Sequence, residues 1–329
     1  MNTGAARLRF AVGLVISLLL MLAAGRLLNW REIWHLLGHA RLPLLALAVA
    51  LLAADYLLRC LRWWLILRQS SSRASLRDCA LVLLAGFGLN NVLPFRVGDV
   101  LRAAGFTSRL RAPASYLVGT LLLERALDLF SLLVVCLLVT LVSGANFPVA
   151  GMQSLLAPLT GLAVTALAAA LLLAERVQAL TIRLIEMTVR APGRKARLER
   201  LTASLLRVFT SCTPAASIRF VLLSLVAWGL EAALFVSVSR SLGLRLPLAV
   251  PLLAFVAANF CTLIPSAPGY LGTFHAAAIS VLVAAAVPRN SAAAFALLAH
   301  AALWLPVTVA GLVSFTVLHR RGHSSPARA

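Results

Sequence analysis

Carboxylates and lysines are scarce in this chain, where 10 acidic residues stand against 30 basic ones and only Lys195 of the latter is a lysine. Cysteine is sparse too, and Cys60, Cys79, Cys136, Cys212 and Cys261 include no C-x-x-C pair. That spacing indicates neither a disulfide framework nor a zinc site, and the five read as small apolar packers. There is no nucleotide-binding loop, metal-ligand cluster or activated nucleophile, and His35 with His39 lies beside Trp34 without a third ligand. No soluble catalytic domain or long low-complexity segment is present, so no cofactor and no metal are expected.

Apolar residues are plentiful. They make up 61% of the chain, its mean hydropathy is +0.96, and several runs exceed the length of a soluble core helix. A soluble fold is excluded. The net charge of +20 would suggest nucleic acid if it lay on one compact domain. Here the arginines sit in loops between apolar runs, the pattern of cytoplasmic loops facing anionic lipid, so membrane lipids and not nucleic acid are the expected partners.

Full spans are expected at 10–28, 42–67, 115–143, 154–174, 218–239 and 291–318. The stretch 78–93 is too short, at roughly 24 Å as a helix against a hydrocarbon core of ~30 Å. Arg68, Arg73 and Arg77 precede it and Arg102, Arg109 and Arg111 follow it, so the positive-inside rule places both flanks in the cytoplasm. A second hairpin of opposite entry is expected from 248–264 and 271–287. The expected fold is an all-α polytopic membrane protein of about six full transmembrane helices plus two re-entrant broken hairpins, 78–111 and 248–287, in an inverted-repeat arrangement with both termini inside.

One integral membrane domain then covers 1–319. Its halves, 1–174 and 218–319, are joined by a basic cytoplasmic connection, 175–217, and 320–329 is a disordered basic tail. Arg240, Arg245 and Arg289 fit this topology badly because it puts them outside. Eight full spans, with both hairpins crossing, is the rival count. Arg7, Arg9 and the small residues Ala23, Ala24 and Gly25 also suit a cleaved signal peptide as well as an uncleaved anchor. In the connection, Val177, Leu180, Leu184 and Met187 recur at helical spacing, as do Leu198, Leu201, Leu205 and Phe209, with Pro192-Gly193 between them. Two amphipathic helices are expected, either lying on headgroups or extending the neighbouring spans into water.

The interruptions carry the chemistry. The first reads NNVLPFRVGD and the second NFCTLIPSAPGYLGTFH. Interrupted backbone is tolerated in a bilayer only where protein or a water-filled cavity surrounds it. In the first, Asn90 and Asn91 offer amides, Pro94 ends a helix, Arg96 brings a guanidinium, and Gly98 frees the backbone for a restart near Asp99. A helix start beside an arginine suits an anionic headgroup. Asn259, Thr262, Pro265, Ser266, Pro268, Gly269, Gly272, Thr273 and His275 occupy the corresponding place in the second. Isolated prolines and glycines read equally well as kinks; two polar clusters together favour a substrate-binding site.

Five of the ten acidic residues, Asp55, Asp99, Glu124, Asp128 and Glu231, fall at or near membrane depth. A charge at a helix centre costs about 2.5–3.5 kcal/mol on insertion scales, so each must face the bundle interior or water. Asp55 and Arg59 are four apart with Arg62 continuing their face, and Glu124, Arg125 and Asp128 form a second patch. These read either as ion pairs that fix packing or as a transport path of Arg59, Arg62, Glu124, Arg125, Asp128 and Glu231. Glu231, with no charged neighbour in its span, suits the path best, and Asp55 suits structure.

The stretches RCLRWWLIL, NNVLPFRVGDVLRA, LLERALDL and IPSAPGYLGTFHAA, in this order and spacing, resemble the lysylphosphatidylglycerol synthase transmembrane-region family over about residues 10–318. The resemblance implies a polytopic protein of the bacterial or archaeal cytoplasmic membrane that moves or handles lipids, among them aminoacylated phospholipids, hopanoids and polyprenyl-linked sugars. It matches Arg59, Arg62, Asn91, Pro94, Arg96, Gly98, Asp99, Glu124, Arg125, Asp128, Pro265, Pro268, Gly269 and Gly272 to family positions. Members that make lysylphosphatidylglycerol carry a soluble aminoacyltransferase domain after the membrane part, and here the chain stops at Ala329, so a translocating role without synthesis is expected. Many members have a Gly-Gly pair and a following Glu where this chain has Gly269-Tyr270 and His275. The resulting expectation is a flippase-like lipid translocase and not an enzyme. The alternatives are an intramembrane transferase using Glu124 and Asp128 as acid and base, or a non-transporting scaffold of a lipid pathway.

Overall fold

The computed structural model describes residues 28–69, 72–143, 152–261 and 268–323. The first apolar run up to residue 27, the loop 144–151, the positions Thr262, Pro265 and Ser266, and the end of the tail, 324–329, lie outside the described residues. All described regular structure is helical.

In chain order the helices are α1 (Trp30–Gly38), α2 (Leu42–Arg68), α3 (Leu76–Val92), α4 (Val97–Val100), α5 (Thr107–Leu110), α6 (Ala114–Ser143) and α7 (Met152–Leu172). They continue as α8 (Ala174–Thr188), α9 (Pro192–Thr210), α10 (Pro214–Ser241), α11 (Ala249–Cys261), α12 (Thr273–Ala284) and α13 (Arg289–His323). Short 3₁₀ turns at Pro94–Arg96 and Pro268–Tyr270 and a π turn at Leu101–Gly105 complete the set. Helices α2, α6, α7, α10 and α13 form where five of the six full spans are expected. By length and composition α2, α10 and α13 can each cross a membrane, and the bent pair α7–α8 can supply a fourth crossing. Helix α6 is 30 residues long and carries Glu124, Arg125 and Asp128 near its middle. The protein is a polytopic, all-helical membrane protein.

Local chemistry sets the helix ends. Proline occupies the first turn of α2, α9 and α10, where a missing N–H costs nothing. Ser75 caps α3 by accepting from the Asp78 N–H at 3.0 Å while its hydroxyl donates to Asp78 Oδ2. Pro192 starts α9, so the break expected at Pro192-Gly193 falls between two helices, α8 and α9. Helix α9 packs on α6, where a Cβ on Gly119 would stand 2.2 Å from the Leu205 carbonyl oxygen. Helix α8 bends 67° away from α7, and Val177, Leu180, Leu184 and Met187 are all exposed on it. Helix α13 continues through His323, so residues 320–323 of the expected tail are helical.

The interior divides into two main apolar clusters. One packs Phe235, Phe255, Phe274 and Phe295 between α10, α11, α12 and α13; the other packs Trp63, Leu83, Tyr116 and Phe220 between α2, α3, α6 and α10. Helices α2, α6, α10 and α13 contribute to both. Charged residues gather where the clusters meet: Asp55 and Arg59 between them on α2, Glu124 and Asp128 beside Leu123 and Leu127 of the second on α6, and Glu231 between Trp228 and Ala232 of the first on α10. A polar belt therefore crosses the middle of the bundle.

The two interrupted segments are short. Helix α3 has 17 residues, α11 has 13 and α12 has 12, so at 1.5 Å per residue they reach roughly 25, 20 and 18 Å, each below a ~30 Å hydrocarbon core. The ends of the first segment lie side by side. Arg109 Nη1 is 3.2 Å from Asp78 Oδ1, and the Ser72 hydroxyl donates to the Leu110 carbonyl at 2.7 Å. In the second segment α11 and α12 pack on each other.

Candidate functional site

The belt is built around Arg59. Its Nε donates to both Asp55 oxygens at 2.8 and 2.9 Å, its Nη2 reaches Glu231 Oε2 at 2.9 Å, and its Nη1 lies 3.7 Å from Asp128 Oδ1. The guanidinium sits over the Trp228 ring at 5.1 Å. Arg62 Nη2 lies 2.9 Å from Asp128 Oδ1, its Nη1 donates to the Ser224 hydroxyl, and Trp228 Nε1 donates to the same Asp128 oxygen at 3.3 Å. Asp55 and Glu231, which the sequence separates into a structural and a functional residue, thus share one arginine.

From Asp128 the belt continues to the first interruption. Arg125 Nη1 is 3.8 Å from Asp128 Oδ2, and its Nη2 is 3.1 Å from Asp99 Oδ2. Asn90 Nδ2 donates to Asp99 Oδ1 at 3.0 Å. Glu124 turns elsewhere: Arg102 holds both its oxygens at 3.0 and 2.7 Å, and Trp63 lies 4.4 Å from that guanidinium. Of the patch Glu124, Arg125, Asp128, one unit in the sequence, Arg125 and Asp128 stay in contact while Glu124 pairs away from them with Arg102. At the other end Glu231 sits on α10, which packs on α11, where Asn259 Nδ2 donates to the Phe255 carbonyl at 3.1 Å. A line of side chains, Glu231–Arg59–Asp128–Arg125–Asp99, therefore runs from α10, on which the second interrupted segment packs, to the first interrupted segment.

Helix α13 joins the two segments, along one stripe. His300 Nε2 bonds the Gly269 carbonyl at 2.8 Å, Trp304 packs on Gly269, and Thr308 Oγ1 accepts from Asn91 Nδ2 at 3.0 Å. Spaced four apart, these three residues lie on one helix face and span about 12 Å of it. One turn further Gly311 meets Gly88 of α3, where a Cβ on Gly88 would stand 2.7 Å from the Gly311 Cα. Helix α3 also packs against the Pro268–Tyr270 turn, so the two interruptions touch.

The breaks have local causes. After Val92 the chain extends at Leu93, and Pro94 starts a 3₁₀ turn. Arg96 adopts a left-handed conformation, φ 52°, before the single turn α4. The helix restart is one turn followed by a π turn, so Asp99 is held by side chains rather than by a long helix start. Gly98 serves close approach: a Cβ there would stand 1.8 Å from the Gly86 carbonyl oxygen. In the second break Gly269 and Gly272 have φ of 66° and 89°, and a Cβ on Gly269 would stand 2.6 Å from Trp304 Nε1. Thr273 donates to the Tyr270 carbonyl, and His275 Nδ1 accepts from the Gly272 N–H at 3.4 Å. A cavity of ≈ 740 Å³ opens beside His275 and His300, walled by Leu271, Ile279, Leu297 and Trp304. Among the described residues, no three His, Cys, Asp or Glu side chains converge as a metal site.

The sequence reading missed Arg102, Ser224, Trp228, His300, Trp304 and Thr308. Arg102 had a signal: five carboxylates at membrane depth exceed the arginines Arg59, Arg62 and Arg125, which points to another cation. The stripe His300, Trp304, Thr308 is also visible as polar residues four apart in an apolar run.

Interrupted short helices, a mid-bundle belt of ion pairs and long apolar spans define an integral membrane domain. The chain belongs to the family of the lysylphosphatidylglycerol synthase transmembrane region, whose model matches residues 10–311. No curated protein matches the chain, and no solved structure does.

Proposed function

We propose that the protein is a lipid translocase of the bacterial cytoplasmic membrane, moving an anionic or glycosylated headgroup between leaflets while the acyl or prenyl tail stays in hydrocarbon. Six crossings and two re-entrant hairpins of opposite entry, with both termini inside, form the frame. The observation that carries this reading is the line of charged side chains that runs through the middle of the bundle from Glu231, on the helix against which the second interrupted segment packs, to Asp99 in the first. A headgroup crossing a bilayer loses its hydration, and fixed charges of both signs replace that hydration at a depth where ionised groups are otherwise costly. The role of such residues inside a membrane is by default a pathway.

Arg96, at the break, and Arg125, whose side chain is 37% exposed, present guanidinium forks to a phosphate. Arg59 and Arg62 line the route deeper in, and Asp128 and Glu231 hold the guanidinium groups in place. The sequence-level candidates Asn90, Asn91 and Asp99 on one side, and Asn259, Gly269 and His275 on the other, form its walls. Arg96→Gln in sealed proteoliposomes tests this. Loss of leaflet exchange of a labelled anionic phospholipid, with an unchanged melting temperature in detergent, is expected; exchange at the unaltered rate refutes the assignment.

A further inference from the structure

Arg41, Arg240 and Arg245 converge on one cavity of ≈ 300 Å³ at the junction of α2, α10 and α11. The fold brings them together. The Arg41 N–H donates to the Ser241 carbonyl at 2.8 Å, tying the start of α2 to the end of α10. The end of α10 closes with Gly243 at φ 71°, its N–H on the Arg240 carbonyl and the Leu244 N–H on the Ser239 carbonyl. This paired cap satisfies the last carbonyls of α10 and reverses the chain, so that Arg245 returns beside Arg240. Leu246 and Pro251 supply an apolar wall beside the three guanidinium groups.

Two observations set this cluster apart from ordinary loop arginines. Among the described residues, none of the three makes an ion pair, and the cavity lining contains no carboxylate. They also stand at the wrong end of their helices for topology. Arg68, Arg73 and Arg77 follow α2, and the basic connection 175–217 precedes α10. Because α2 and α10 run antiparallel, with the Ser237 hydroxyl on the Leu44 carbonyl and Arg62 on Ser224, those basic segments share one membrane face. Arg41, Arg240 and Arg245 occupy the other. The positive-inside rule accounts for the first group and leaves the second unexplained.

We infer that this cavity binds a phosphate-bearing anion at the outer membrane face, with the lipid headgroup handled by the protein as its natural source. Three guanidinium forks lining one cavity suit a phosphate group's oxygens, and the adjoining apolar wall suits the glycerol and first methylenes of a lipid. The inference rests on the lipid-handling reading but names a separate site, remote from the charged belt.

The test is native mass spectrometry of the purified full-length protein with phosphatidylglycerol or phosphatidylcholine added. The wild type is expected to retain phosphatidylglycerol in preference. Arg240→Gln and Arg245→Gln should each lower that adduct severalfold, and Arg240→Lys should restore part of it. Arg289→Gln, which removes the same charge at the same membrane face outside this cavity, should leave it unchanged. Excess inorganic phosphate that displaces the lipid identifies the phosphate alone as the recognised group; a lipid adduct that resists it identifies headgroup and wall together. Equal adducts in the wild type and the two Gln variants overturn the proposal, as does an equal loss in Arg289→Gln. Binding in detergent involves no leaflet exchange, so this site and the translocase reading fail separately.

Discussion

Arg125 Nη2 lies 3.1 Å from Asp99 Oδ2, and at this ion pair the charged belt of the bundle reaches the first interrupted segment. Half-exposed pairs of this kind add at most about 1 kcal/mol to stability. Arg125→Gln should therefore leave the melting temperature in detergent close to that of the wild type and still abolish leaflet exchange. A variant that unfolds, or one that exchanges lipid normally, places Arg125 outside the pathway.

Arg102 and Glu124 behave differently, because both are fully buried and joined by two hydrogen bonds. Removing one member leaves the other charged, buried and unpaired, at a cost of about 3–5 kcal/mol. Arg102→Gln and Glu124→Gln should each lower thermal stability sharply, and the double variant Arg102→Gln/Glu124→Gln should be more stable than either. Melting curves followed by size exclusion check this, and equal loss in all three would contradict it.

Gly88 and Gly311 let α3 and α13 touch, with a Cβ on either falling under 3.0 Å from the opposite backbone. Backbone cannot move aside as a side chain tip can. Gly88→Leu should separate the helices, break the Asn91–Thr308 hydrogen bond at 3.0 Å and cost about 1–3 kcal/mol or more. Gly38→Ala, whose Cβ would meet nothing within 4 Å, is the control that should be neutral.

The Asp78–Arg109 pair, at 3.2 Å, brings together the two ends of the first interrupted segment. Cysteines at these positions should both be labelled from the cytoplasmic side by a membrane-impermeant maleimide in oriented vesicles. Labelling of the two from opposite sides would rule out a hairpin that enters and returns.

Much of this was legible because a bilayer leaves few choices. Runs such as 42–67 and 218–239 are long and apolar, so α2 and α10 follow from length alone, and Pro192-Gly193 marks the turn between α8 and α9. The interruptions were legible because proline, glycine and polar residues cluster there, at 90–99 and 259–275, within otherwise apolar runs. Partnership between distant residues was not. Nothing local pairs Arg59 with Glu231, 172 positions away, and a charged triplet such as Glu124, Arg125 and Asp128 invites grouping by sequence although Glu124 pairs with Arg102 and not with Arg125. Arg102 was read with the loop charges because it follows a turn; burial against Trp63 and Phe87 places it in the core instead.

The central claim is best tested by following one labelled anionic phospholipid in sealed vesicles containing only this protein. The account expects the lipid to change leaflet with its chemical structure intact, and to stop doing so in Arg125→Gln. Conversion of the lipid to a new product, or no movement beyond that in protein-free vesicles, would contradict it.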